Sequence, residues 1–120
     1  IVINLLPLTP ATSGLLDARF LAALPAGASL INLARGAHVV DDDLLAALDS
    51  GNVHHAVLDV FNVEPLPSCH RYWRHPRVTV LPHVAALTDV RSAAEVAVVN
   101  LRAARDGRPL LHLVDRARGY

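Results

Sequence analysis

Residues 28–51 read ASLINLARGAHVVDDDLLAALDSG: an apolar run that stops at Arg35-Gly36, then an aspartate-led stretch that stops at Gly51. Ala28 to Leu33 has the length of a strand, and Asp41 to Leu48 has the spacing of a helix. Strand, turn and helix in that order make the repeating unit of an α/β fold with a parallel sheet. The same order recurs on either side. Upstream, IVINLL (1–6) is an apolar run broken only by Asn4, as expected of a strand covered on both faces, and Pro7 and Pro10 end it. A helix is expected over Asp17 to Leu24, with Leu16, Phe20 and Leu24 at helical spacing and Pro25-Ala26-Gly27 as its stop. Downstream, His55 to Phe61 and Val78 to Leu81 read as the third and fourth strands. A long helix from about Asp89 to Arg105 precedes Gly107 and Pro109. The loop from Asn62 to Arg77 carries Pro65, Pro67 and Pro76, which predicts a fixed surface excursion.

Three polar residues each stand just past an apolar run: Arg35 after ASLINLA, Glu64 after AVLDVFNV and His83 after VTVLP. In a parallel sheet all three emerge at the carboxyl edge, where open α/β folds hold their ligands. A guanidinium, a carboxylate and an imidazole in one crevice suit a reaction on a small oxo-acid.

Composition narrows the class. The 120 residues are 52% hydrophobic, enough for one modest domain and small for an enzyme handling both a cofactor and a substrate. Formal net charge is zero, which points away from nucleic acid and from an anionic membrane surface. No apolar run approaches the ~20 residues of a membrane span. No signal peptide is expected, since the chain opens in a strand-like run. The single Cys69 excludes an internal disulfide framework, so the expected compartment is the cytoplasm.

A dinucleotide-binding domain begins with a strand, a G-x-G-x-x-G turn and a helix whose amino end holds the pyrophosphate. The glycines stand at 14, 27, 36, 51, 107 and 119, and no three have that spacing. Four parallel strands with crossover helices therefore read as the carboxyl half of a doubly wound, Rossmann-like sheet. Residues 1–106 are expected to form that half-domain. Residues 107–120 are expected to be a tail returning to a substrate domain outside this chain.

NLLPLTPATSGLLD, LINLARGAHVVDDDLLAALDSG, AVLDVFNVEPLP and HPRVTVLPHVAALT, in that order and spacing, resemble the carboxyl half of the D-isomer-specific 2-hydroxyacid dehydrogenases. PHVAALT and the ending VDRARGY further resemble the glyoxylate/hydroxypyruvate reductase A subgroup, although most other members carry Gly where this chain has Ala86. The resemblance implies NAD or NADP as cofactor, NADPH preferred, a 2-oxo or 2-hydroxy acid as substrate, and a homodimer as the full-length protein. It also assigns roles. Arg35 would hold the substrate carboxylate through its planar fork, with a surface salt bridge as the plain alternative. His83, whose ordinary pKa lies near neutrality, would supply the proton; otherwise it caps a strand end. Glu64 would accept a hydrogen bond from His83 and favour its protonated form. Leu6, Pro7 and Thr12 would line the adenosine side and Leu33 and Ala34 the nicotinamide ribose. Asp59 would lie near the carboxamide, and Val84, Ala85 and Ala86 in the same pocket. Asp59 could equally be a strand-end capping carboxylate.

Other groups carry less. His54 and His55 point to opposite faces of a strand, so with His70 and His75 they do not suggest a metal site, and none is expected. Cys69 beside His70 is not by adjacency a nucleophile and base. Asp41, Asp42 and Asp43 read as helix capping, and Trp73 as packing near the crevice mouth. Two alternatives to a reductase stay open: a cofactor-sensing corepressor-type binding module of the same family, and an inactive truncated fragment.

Overall fold

The computed structural model describes residues 1–119. Its first compact unit, Ile1–Ala85, contains in chain order β1 (Val2–Asn4), α1 (Ala18–Ala22), β2 (Ala28–Asn32), a 3-10 turn (Gly36–His38), α2 (Asp41–Ser50), β3 (Val53–Leu58), a second 3-10 turn (Arg71–Arg74) and β4 (Val78–Val80). The strands lie side by side as β1-β2-β3-β4 and every pairing is parallel. The expected α/β, Rossmann-like arrangement is present, and all four carboxyl ends share one edge.

The core follows from the apolar pattern. Leu30, Val53, Ala56 and Leu58 from the sheet meet Leu44, Leu45 and Leu48 from α2 and Leu21 from α1, all of them buried. Each buried leucine contributes on the order of 1.5–3 kcal/mol relative to exposure. Gly51 closes α2 in the left-handed region (φ 81°), where its lack of a Cβ removes the steric cost. On β1 the outer edge is open, with Ile1, Ile3 and Leu5 exposed.

Several expected boundaries shift for identifiable reasons. β1 covers only Val2–Asn4, because its partner β2 stops at Asn32 in the Asn4↔Asn32 register. β3 runs Val53–Leu58 instead of 55–61, since beyond the Asp59 N–H to Asn32 carbonyl bond the neighbouring strand has turned away. Leu16 lies outside α1, bridged to Val39, and Leu21 is the residue that α1 buries. The three aspartates at the start of α2 do not cap it: Val40 is the N-cap and makes no side-chain capping bond. Asp43 instead accepts from the Ala18 N–H, Asp42 from Arg71, and Asp41 from the Tyr72 hydroxyl. Burial first, and then the Asp41 carboxylate, push the Tyr72 phenol well above its ordinary pKa. The link from β3 to β4 is not a helical crossover. It is the proline-rich loop, fixed by the 3-10 turn that buries Tyr72.

The second compact unit begins at Ala86. Its helix α3 spans Val90–Arg105 and is capped by Asp89, which accepts from the Ser92 N–H. The Asn100 side chain bonds both the N–H and the carbonyl of Leu111, which ties the following segment back to the helix.

Candidate functional site at the carboxyl edge

At the end of β1 and β2 two asparagines replace apolar residues. Asn4 donates to Asn32 at 3.0 Å, and both are buried. Asn32 donates in turn to the Arg35 carbonyl (3.0 Å) and accepts from the Ala34 N–H (3.2 Å). The polar pair satisfies itself inside the sheet and shapes the turn on which Arg35 sits. Leu33 is half-buried and Ala34 buried, while Arg35 is exposed, its Nη1 donating to the Ala34 carbonyl.

Gly36 is required by a close approach and not by backbone conformation. Its backbone is not in the left-handed region; the residue is small because the chain after β3 crosses over it. A Cβ there would collide with the backbone of Phe61 and Asn62. That close approach brings the Arg35 turn against the segment that carries Glu64.

Glu64 joins the arms. One carboxylate oxygen accepts from the Phe61 N–H at 2.8 Å and the other from His83 Nδ1 at 2.9 Å. The Phe61 bond first, then the His83 bond, hold the Glu64 carboxyl below its ordinary pKa, and the charges of His83 and Arg35 add to the effect. Glu64 is therefore ionised across the neutral range. With Nδ1 committed to Glu64, Nε2 is the His83 nitrogen left to face a ligand.

His83 itself has φ 56°, a conformation a side-chain-bearing residue adopts only when its surroundings impose it. Asp59 supplies that constraint. It is 1% exposed, and its two oxygens accept from the N–H groups of Val84 (2.8 Å) and Ala85 (2.9 Å). The strand-end capping alternative is thus what Asp59 does in this structure. Beside the Glu64–His83 pair lies a cavity of about 430 Å³ walled by Phe61, Leu66, Trp73, Val80, Leu81 and Pro82. Trp73 is half exposed on that wall, its indole N–H donating to the Pro67 carbonyl.

The remaining expected contacts sit on the same edge. Leu6 and Pro7 are exposed, and the Thr12 hydroxyl donates to the Pro7 carbonyl at 2.8 Å, which folds the loop after β1 back over the strand end. Ala86 belongs to the second unit. A hollow of about 440 Å³ near Asp49, Cys69 and Arg77 opens at the opposite, amino end of β4. Arg71 on its wall pairs with Asp42, Arg77 donates to the Leu48 carbonyl and His75 pairs with Asp49. Among the described residues no cluster of histidine, cysteine and carboxylates could hold a metal ion, and no helix is long and apolar enough to cross a membrane.

Sequence reasoning missed Asn32, His38 and the crowding at Gly36. For Asn32 the signal was available: a polar residue in an apolar strand, in register with Asn4.

Residues 1–85 match the family model for the D-isomer specific 2-hydroxyacid dehydrogenase NAD binding domain. A D-isomer specific 2-hydroxyacid dehydrogenase from Xanthobacter autotrophicus Py2, crystallised with NADPH and MES, is 49% identical with a TM-score of 0.96, over 99% of this chain and 49% of that one. A family member from Klebsiella pneumoniae 342 is 50% identical with a TM-score of 0.89, over 96% and 37% of the two chains. An NADPH-dependent glyoxylate/hydroxypyruvate reductase from Sinorhizobium meliloti, in complex with NADP and sulfate, is 44% identical with a TM-score of 0.91, over 98% and 39%. The chain thus spans half or less of the length of each of these proteins.

Proposed function

This chain belongs to the D-isomer-specific 2-hydroxyacid dehydrogenase family, and on that premise we propose that the whole protein reduces a small 2-oxo acid of the glyoxylate or hydroxypyruvate type, with NADPH as reductant. The observation that carries the reading is the Glu64–His83 pair, 2.9 Å apart, with the Arg35 charge acting on the same carboxylate. Arg35 binds the substrate carboxylate and polarises the adjacent carbonyl. His83 donates a proton from Nε2 to the carbonyl oxygen as it becomes a hydroxyl, and Glu64 holds the ring oriented through Nδ1.

The nicotinamide half of the cofactor fits the residues present. Ala34 is small and buried at the strand end, and the exposed Leu6 and Pro7 lie on the same edge, toward the adenosine side. Leu33, Ala34, Arg35, His83, Val84 and Ala85 would line that half, with Asp59 behind them, and Thr12 would lie toward the adenosine. When bound, the dihydronicotinamide supplies the hydride to C2 of the substrate. The pyrophosphate half finds no glycine turn among these residues. The preference for NADPH is supported by the two similar structures that hold NADPH or NADP.

The test uses the full-length protein. Loss of NADPH absorbance on adding glyoxylate or hydroxypyruvate is expected, with stoichiometric formation of the 2-hydroxy acid. NADPH binding with no turnover of any 2-oxo acid would replace this reading with the cofactor-sensing module. A homodimer is the proposed assembly, to be read by light scattering.

A further inference from the structure

His38 has no part in the chemistry above, yet it is wholly buried, at 0% exposed. Its Nδ1 lies 3.1 Å from the Arg35 carbonyl oxygen and its Nε2 3.3 Å from the Pro7 carbonyl oxygen. These carbonyls sit in turns 28 residues apart in sequence, one after β1 and one after β2. Each has a second donor: Asn32 Nδ2 on Arg35 and the Thr12 hydroxyl on Pro7. The Arg35 carbonyl also accepts from the His38 backbone N–H within its own turn, so the ring contact that ties the two turns together is the one to Pro7, made by the tautomer with its proton on Nε2.

Around the ring the two turns are laced together. The Gly14 N–H donates to the Ala37 carbonyl (2.8 Å), the Leu16 N–H to the His38 carbonyl (2.8 Å) and the Val40 N–H to the Leu16 carbonyl (3.3 Å). Arg35 itself is exposed, so the placement of its backbone decides where the guanidinium reaches. An apolar side chain would fill the space under the turn but would hold neither carbonyl.

We propose that His38 is a positioning residue that locks the Arg35 turn to the loop after β1, so that the carboxylate-binding group keeps a fixed place relative to the cofactor side. The inference rests on the proposed role of Arg35.

Asparagine and glutamine separate the two bonds. The amide nitrogen of Asn falls near the position of Nδ1 and that of Gln near Nε2, so His38→Asn keeps the bond to Arg35 and His38→Gln keeps the bond to Pro7. In the full-length protein His38→Leu is expected to raise the glyoxylate KM about tenfold, the weight of one buried hydrogen bond. The NADPH dissociation constant and kcat should change far less. His38→Gln, which keeps the bond that crosses to Pro7, should return the glyoxylate KM to near the parent value, and His38→Asn should not. An unchanged KM in His38→Leu, or equal impairment of the Asn and Gln variants, overturns the proposal. If His38→Leu does not fold, the Asn and Gln pair decides the question alone. A second readout does not depend on turnover: phenylglyoxal modification of Arg35, followed by peptide mass spectrometry, should be faster in His38→Leu and His38→Asn and normal in His38→Gln. Should the parent reduce no 2-oxo acid, the functional reading fails, and the modification rates still decide: equal rates in all variants overturn the positioning role.

Discussion

At the end of β2 the chain is crowded. Gly36 lies directly under the backbone of Phe61 and Asn62, His38 fills the space below, and buried Asn32 holds the Arg35 carbonyl. At the end of β4 it is open. Pro82, His83, Val84 and Ala85 are exposed, and the turn depends on one buried carboxylate, Asp59, accepting two N–H groups. The Arg35 arm is held by packing that tolerates no added atom, and the His83 arm by hydrogen bonds that leave its ring accessible. The difference suits the work proposed for each arm. A carboxylate clamp gains from rigidity, whereas a proton donor must meet substrate and then be reprotonated.

The largest expected effect is chemical and falls on the open arm. His83→Gln keeps a hydrogen-bonding side chain but cannot deliver a proton, so kcat for glyoxylate reduction should fall by roughly 10²-fold or more. Steady-state kinetics with a separate NADPH titration checks this, the cofactor affinity being expected to hold. An unchanged kcat would take His83 out of the chemistry. Next comes Gly36→Ala on the crowded arm. Because the added Cβ meets backbone and no flexible side chain, the strain has no easy outlet, and a loss of about 1–3 kcal/mol or more is expected. Denaturant unfolding of the full-length protein measures it, and a variant as stable as the parent would show that the two turns can slide apart.

Asp59→Asn should have a smaller and more selective effect. The amide offers one acceptor oxygen where the carboxylate offers two, so one of the Val84 and Ala85 N–H groups loses its partner. The His83 turn loosens while the Arg35 turn stays. A fall of about tenfold in kcat at near-constant glyoxylate KM is expected, equivalent to ~1.4 kcal/mol of transition-state stabilisation. A matching rise in KM would mean that the two arms are not held independently.

How much of this was legible in the sequence depended on range. The parallel α/β order could be read because strand and helix periods are local, and Arg35, Glu64 and His83 could be found because each follows an apolar run. Their convergence needed only the parallel sheet. Asp41, Asp42 and Asp43 were misread because local capping rules say nothing of Tyr72 or Arg71, 29 to 31 positions away, which claim two of those carboxylates. The close contact at Gly36 was not legible, since glycine looks alike in sequence whether it serves a positive φ or a close contact with a distant strand end. His38 left no signal at all: its partners, Arg35 and Pro7, are backbone carbonyls, which every residue carries.

The smallest effect tests the bond that joins the arms. The lowered Glu64 pKa keeps its carboxylate charged at every working pH, so the protonated form of His83 has an opposite charge beside it throughout. On the proposed mechanism that form of the ring delivers the proton. Glu64→Gln removes the charge but preserves the shape, so kcat for glyoxylate reduction should fall only about twofold in steady-state assays, the ring keeping an acceptor at Nδ1. Stability depends on the same carboxylate at acid pH. A carboxyl whose folded pKa lies below its ordinary 4.5 stabilises the fold fully above that value and progressively less as pH falls through the lowered one. Glu64→Gln should flatten that acid limb slightly, because the side chain is 37% exposed and its pairing is screened by water. A kcat equal to the parent's would separate Glu64 from His83 in function, and would leave the two arms joined by the packing at Gly36 and the Asn62 bond to the Val39 carbonyl.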